Sequence, residues 1–358
     1  MLTKSSVVTA QVFRRIFTTK HFLHFAMKKY LILLPLILLL AACGATAAPE
    51  AGSGPVAVQL GVGYIPSVQF APLYVAIEKG YFAEAGLDVS LEYGYETDFL
   101  KLLAAGKREF VIASGDQVIL GRAQGLPVTY IAEWYTRYPV VVFSPADKGV
   151  ATPDDLIGKT VGIPGLFGAS YVGWKALVTA ANLPEDQITL KTVGFNQAET
   201  LQQGLVDAAV DYAANGPVQF RQQGIPANVI VVDDYMHLPA NGLVTSDKIM
   251  ADAPGRAEGM VRAMLRGVAY TLSHPDEAFE ISLKFVPEAA QNRDANRAIF
   301  DASLPYWTPA SPEALGRTDP AIWPATAAFM QQAGLVDKLV DTDGIWTNAF
   351  VEKADVGK

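Results

Sequence analysis

From residue 56 to about residue 232, short stretches in which apolar and polar positions alternate are separated by stretches with a helical period. In the first half this pattern predicts strands at residues 56–62, 87–93, 110–113, 128–133 and 140–144, with helices at 73–79, 98–106 and 116–124 between them. A break at Pro145-Ala146-Asp147-Lys148-Gly149 precedes a second set. It holds a short helix capped by Thr152-Pro153-Asp154-Asp155, strands at 160–163, 188–193, 208–212 and 228–232, and helices at 171–181, 197–204 and 216–223. From Gly242 onward the pattern turns mainly helical, with helices expected at 257–273, 275–285, 293–304, 322–333 and 345–352. Alternating strands and helices predict an α/β fold whose parallel-rich sheets are covered by helices. Two crossings, near Ser144 and Asn241, divide the body into a first lobe (56–144 and 242–358) and an inserted second lobe (145–241). A cleft between two such lobes is a common place for a small molecule.

Upstream of this body, Lys28-Lys29 is followed by an apolar run from Tyr30 to Ala42 and then Cys43. The run is shorter than the roughly 20 residues a helix needs to cross a bilayer. Its basic flank and small-residue end predict a signal peptide over 1–42. Leu40-Ala41-Ala42-Cys43 resembles the bacterial lipobox, whose cysteine is lipidated and becomes the first residue. Cys43 is the only cysteine, which rules out an internal disulfide. Residues 43–55, rich in Ala, Gly and Pro, predict a flexible tether. The expected location is therefore the extracytoplasmic face of the cell membrane, held by a lipid anchor. Residues 1–42 hold six of the 28 Lys and Arg and none of the 36 Asp and Glu, which leaves a net charge of −14 on the remainder. Such a chain repels a phosphate backbone, and nucleic-acid binding is excluded on that ground.

Ligands of open α/β sheets sit at the carboxyl ends of the strands. The turn after the first strand offers Tyr64, Ser67, Gln69 and Phe70, aromatic and neutral polar groups without a carboxylate, histidine or cysteine. Tyr93 and Tyr95 follow the second strand, Trp134 and Tyr135 the fourth, and Phe167 lies in a glycine-rich turn of the second lobe. Ser114 and Asp116 end the third strand, where they serve either as solute contacts or as helix caps. The turn Gly162–Ser170 lacks the Gly-Lys-Ser/Thr ending of a P-loop, so it is read as a helix opening whose amides and Ser170 face the solute. Asn196, Tyr212 and Asn241 complete the set; Asp211 and Asn215 are further candidates, Asp211 equally a cap. After residue 42 only His237 and His274 remain, without metal-ligand spacing, and no Gly-x-Ser-x-Gly elbow is present. Neither a catalytic role, a metal nor a cofactor is expected.

The segments Pro72–Phe82 with Gly86-Leu87-Asp88-Val89, Asp155–Gly162, and Gly334-Leu335-Val336 with Ile345–Asn348 resemble, in order, the family of solute-binding proteins that serve sulfonate, taurine and thiamine-pyrimidine importers. The resemblance spans roughly residues 56–350. It implies a two-lobed clamshell of the periplasmic-binding-protein type II, working as a monomer with the permease and ATPase subunits of an ABC transporter. Within the family it is nearest the thiamine-pyrimidine and riboflavin branches. The thiamine-pyrimidine branch typically has Asp-Trp-x-Pro-Asn-x-x-His in the first turn, where this chain has Gly63-Tyr64-Ile65-Pro66-Ser67-Val68-Gln69-Phe70. Replacing Asn and His by Ser67 and Phe70 makes the pocket more apolar. A larger flat ring suits that change, which favours riboflavin over a thiamine-type pyrimidine. Two alternatives stay open: a receptor for formylaminopyrimidine or hydroxymethylpyrimidine, and a pyrimidine-forming enzyme on the same scaffold. The cysteine-rich motif of those enzymes is missing.

Overall fold

Strand β1 (Val56–Gly63) buries Val58, Leu60 and Val62 on one face, turns Gln59 to solvent on the other, and packs Gly61 of that other face under Phe99. The computed structural model describes residues 54–356; the expected signal peptide, Cys43 and the tether up to residue 53 lie outside the described residues. After β1 come a 3₁₀ turn at Val68–Phe70, α1 (Ala71–Glu78), α2 (Tyr81–Glu84), β2 (Leu87–Gly94), α3 (Glu96–Ala104), β3 (Phe110–Ser114), α4 (Gly115–Ala123) and β4 (Val128–Glu133). The chain then crosses to β5 (Val140–Pro145), β6 (Thr160–Ile163), α5 (Gly168–Ala180), β7 (Thr189–Thr192), α6 (Gln197–Gln202), β8 (Ala208–Tyr212), α7 (Gly216–Gln222) and β9 (Ala227–Val231). It returns as β10 (Asn241–Ser246), followed by α8 (Asp247–Asp252), α9 (Pro254–Ser273), α10 (Pro275–Phe285), α11 (Arg293–Trp307), α12 (Ile322–Gln332) and α13 (Ala349–Ala354).

Two five-stranded sheets result, in the orders β2-β1-β3-β10-β4 and β7-β6-β8-β5-β9. They share one plan. The strand arriving from the other lobe runs antiparallel to both neighbours, β10 between β3 and β4, β5 between β8 and β9. The crossings are tied together, because the backbone N–H groups of Trp134 and Tyr135 both donate to the Asn241 carbonyl at 3.0 and 2.8 Å.

Three expectations are corrected. Strand 140–144 was expected in the first lobe, but β5 pairs Val140 with Tyr212 and Val141 with Val231 inside the second sheet, so the first crossing precedes Val140. Its run Val140–Phe143 is buried throughout, and an apolar run of that kind has the same pattern on either side of a crossing. The mainly helical expectation after Gly242 misses β10. Gly242 breaks the apolar pattern because a Cβ there would lie 2.2 Å from the Tyr130 ring, so only glycine lets β4 and β10 pair at this point. Finally, the last helix begins at Ala349 rather than 345. Ile345–Thr347 instead runs beside β4: Tyr130 N donates to Ile345 O, and Thr347 N to Tyr130 O, each at 2.9 Å.

The helices bury continuous apolar faces. Residues Ala71–Ala76 of α1 are buried, and α9 contributes Met260, Val261, Met264, Leu265 and Val268 to the same core. In the second lobe Trp174 of α5 is fully buried, with its Nε1 donating to Glu185 Oε1 at 3.0 Å. Among the described residues no helix is long and apolar enough to cross a membrane.

Candidate functional site

The carboxyl ends of β1, β2 and β4 face the carboxyl ends of β6, β7 and β8 across a cleft of about 890 Å³, its open mouth included. Tyr64 enters this cleft with φ at 87°, a backbone region that costs a non-glycine residue about 1–3 kcal/mol. The strained position is held by its N–H, which donates to Gly94 O at 2.7 Å. Gly63 beside it is required by close approach, since a Cβ would sit 2.7 Å from Glu96 Cγ. Strain and tight packing at one loop are typical of a site that fixes side-chain directions.

The wall is largely aromatic. Phe70, Trp134 and Tyr135 are buried at its base, with Phe70 6.1 Å from Trp134 and Trp134 stacked on Trp307 at 6.1 Å. At the exposed end, rings from the two lobes meet. Phe195 lies edge-on to Tyr64 at 4.9 Å and stacks on Tyr95 at 5.6 Å, while Phe167 lies edge-on to Tyr95 at 5.2 Å. Such pairs are worth about 0.5–1.5 kcal/mol each beyond area burial.

Two carboxylates, one from each lobe, supply the polar part of the wall. Glu96, the first residue of α3, accepts from Asn241 Nδ2 at 2.7 Å and from Ser114 N and Oγ at 3.1 Å. Burial lifts its pKa to about 7 against the opposing pull of these donors. Asp211 accepts from Tyr212 N, Asn215 Nδ2 and Gly216 N, and burial lifts it to about 6. Each carboxylate is oriented through an asparagine whose other end is bonded by the opposite lobe. Tyr212 Oη donates to Asn241 Oδ1 at 3.2 Å, and Gln69 Nε2 donates to Asn215 Oδ1 at 2.6 Å. These relays close the cleft without a water between the partners, and they exist only while the lobes are together.

Of the sequence-predicted residues, Tyr64, Gln69, Phe70, Tyr95, Trp134, Tyr135, Phe167, Ser170, Tyr212 and Asn241 lie on the cavity wall. Five do not, and each is corrected on physical grounds. Ser67 caps the 3₁₀ turn and its Oγ accepts from Gln69 Nε2 at 3.2 Å, so it stands behind Gln69. Tyr93 stands behind Phe70, with its hydroxyl 2.8 Å from that of Tyr74. Ser114 does not cap α4; its hydroxyl is spent on Glu96. Asp116 is buried beneath the cleft, bonded by Gln117 Nε2 at 2.6 Å and Tyr138 Oη at 3.3 Å. Asn196 is exposed at the start of α6, where its carbonyl accepts from Thr200.

Glu96, Phe195 and Gln197, which the sequence does not mark, also line the wall, as do the further candidates Asp211 and Asn215. Glu96 had a local explanation as an acidic first-turn residue of a helix, and nothing in the spacing marks Phe195 or Gln197. A sheet-end rule applied to β7, whose carboxyl end precedes Phe195, would have found it.

Paired sheets of this order enclosing an interlobe cleft define a periplasmic-binding-protein fold. A solved alkanesulfonate-binding protein, SsuA from Xanthomonas axonopodis pv. citri bound to MOPS, superposes with a TM-score of 0.66 at 14% identity, covering 83% of this chain and all of that one. The profile described as NMT1/THI5 like matches residues 67–278, and the chain belongs to that family. It is 40% identical over 334 residues to the riboflavin-binding protein RibY of Chloroflexus aurantiacus, covering 88% of this chain and 95% of the relative. It is 32% identical over 268 residues to the formylaminopyrimidine-binding protein of Halalkalibacterium halodurans, covering 73% and 80%. Fold and kinship together are those of a substrate-binding protein.

Proposed function

We propose that the chain captures riboflavin, a flat heteroaromatic vitamin, between its lobes and delivers it to the permease of an ABC importer. The observation that carries this reading is the aromatic wall contributed by both lobes, from buried Phe70 and Trp134 to the ring cluster of Tyr64, Tyr95, Phe167 and Phe195 at the mouth. A planar ring system gains stacking on such a wall that an aliphatic sulfonate does not. The 40% identity to a riboflavin-binding relative supports the same choice. A ligand that touches both lobes favours the closed arrangement by its differential affinity for it, and the closed form is what a permease distinguishes from the empty receptor.

The second reading is a thiamine-pyrimidine precursor such as formylaminopyrimidine, favoured by the 32% relative. Titration of the purified protein separates the two. Riboflavin fluorescence is expected to be quenched at one ligand per chain, and a pyrimidine is expected to compete weakly. Flat titrations up to high micromolar riboflavin, with saturable binding of the pyrimidine, would favour the second reading. Membrane attachment is assigned to lipid on Cys43; in the Cys43→Ser protein, release into the soluble fraction supports this, and retention in the membrane opposes it.

A further inference from the structure

The geometry points to a cleft that selects by charge: it takes an uncharged or cationic ring bearing N–H donors and rejects the same ring once it carries a phosphate or sulfonate. This rests on the cleft being the ligand site, as proposed above, but not on the ligand being riboflavin.

Among the described residues the lining contains Glu96 from one lobe and Asp211 from the other, and no lysine, arginine or histidine. A carboxylate offers about four acceptor positions over its two oxygens. Glu96 has three filled, two on Oε2 by Ser114 and one on Oε1 by Asn241. Asp211 also has three filled, two on Oδ1 by Tyr212 N and Asn215 and one on Oδ2 by Gly216 N. One position is left on each, and both side chains line the cavity. An N–H group on the ligand satisfies such a position, whereas a phosphate oxygen has no proton to give.

One feature opposes this selection. The amino end of α5, at Gly168–Ser170, lines the cavity, and a helix amino end attracts anions. Its effective charge is roughly half a unit, against a full unit on each carboxylate once both are ionised, above about pH 7. The amide that opens α7, Gly216 N, is already taken by Asp211. The groups around Glu96 do not offset its charge either: Asp116 is acidic, and Tyr130, Tyr135, Tyr138 and Tyr212 are phenols whose ionisation burial suppresses. Tyr64 beside Asp211 is another such phenol. The α5 end therefore suits a ligand carbonyl, and the wall as a whole matches a ring edge that alternates acceptors with an N–H donor.

The test uses the full chain at pH 8, above the values to which burial lifts both carboxyls. Affinities are measured by calorimetry for two pairs that differ by a phosphate: riboflavin with flavin mononucleotide, and hydroxymethylpyrimidine with its phosphate. In whichever pair binds, the phosphorylated member is expected to bind at least about 30-fold more weakly, the scale of unfavourable like-charge contact in a dry site. Glu96→Gln and Asp211→Asn are each expected to narrow that gap at least about fivefold, mainly by strengthening the phosphorylated member. Asp211→Asn keeps the test open if Glu96→Gln does not fold. Equal affinity for riboflavin and flavin mononucleotide would overturn charge selection while leaving the riboflavin reading intact. A gap in the pyrimidine pair with no flavin binding would uphold charge selection and remove riboflavin. A gap that neither variant changes would show that size rather than charge excludes the phosphate, which also overturns the proposal.

Discussion

Removing the Phe195 ring tests whether the aromatic contacts at the mouth hold the lobes together around a ligand. Phe195 belongs to the second lobe, and its partners Tyr64 and Tyr95 belong to the first, at 4.9 and 5.6 Å between ring centroids. Both contacts are present only with the lobes closed. At about 0.5–1.5 kcal/mol each they contribute about 1–3 kcal/mol to the closed state. For a protein that is open when empty, that energy belongs to the binding reaction, so Phe195→Ala is expected to raise Kd about 5- to 150-fold. The ring is 36% exposed and lies outside any helix or strand, so the empty protein should melt within about 2 °C of the unaltered one. Riboflavin quenching titrations measure Kd, and a thermal melt without ligand provides the control. Adding Tyr95→Ala should cost less in the double variant than the sum of the single losses, because the two share one contact. An affinity within about twofold of the unaltered protein, or full additivity with Tyr95→Ala, would refute the assignment of closure energy to these rings.

Three further outcomes follow from the buried polar groups. Burial lifts Glu133 to about 8, Glu96 to about 7, and Asp116 and Asp211 to about 6, all above ordinary carboxylate values. A carboxyl raised in the folded state holds its proton more readily there than in the unfolded chain. Its contribution to stability is therefore complete below the unfolded value and is lost as pH rises through 6 to 8. Tm should accordingly increase when the pH is lowered from 8 to 5.5, and a decrease over that window would contradict the burial of these groups. Tyr212→Phe removes the hydroxyl that donates to Asn241 Oδ1; calorimetry should show Kd raised about fivefold, the value of one neutral hydrogen bond, and an unchanged Kd would contradict the relay to Glu96. Gly63→Ala drives a methyl to 2.7 Å from Glu96 Cγ and should lower stability by about 1–3 kcal/mol in urea unfolding while weakening the ligand; a variant with unchanged unfolding would contradict the tight packing there.

The first turn was legible because strand, turn and helix follow one another within Val56–Glu78, and a sheet end of that kind places Tyr64, Gln69 and Phe70 on the cleft wall. Trp134 and Tyr135 were legible because they follow the carboxyl end of a strand, β4, although no helix comes next. What sequence could not convey was which lobe owned a strand. Val140–Phe143 is buried on both sides, so its pattern carries no direction, and only pairing with Tyr212 and Val231 assigns it to the second sheet. Glu96 was hidden for a different reason. An acidic residue in the first turn of a helix normally needs no explanation beyond the helix dipole, and its burial comes from Gly63 and Asn241, 33 and 145 residues away. Ser114 shows the converse: it stands in a capping position but gives its hydrogen bond to Glu96.

Native mass spectrometry of the protein purified under gentle conditions, before and after addition of riboflavin, measures the central claim directly. The account predicts a single adduct per chain with the mass of riboflavin, with lower occupancy in Phe195→Ala at a subsaturating concentration of the same ligand. A chain that stays empty at saturating riboflavin, or one that retains a non-aromatic anion in its place, would contradict it.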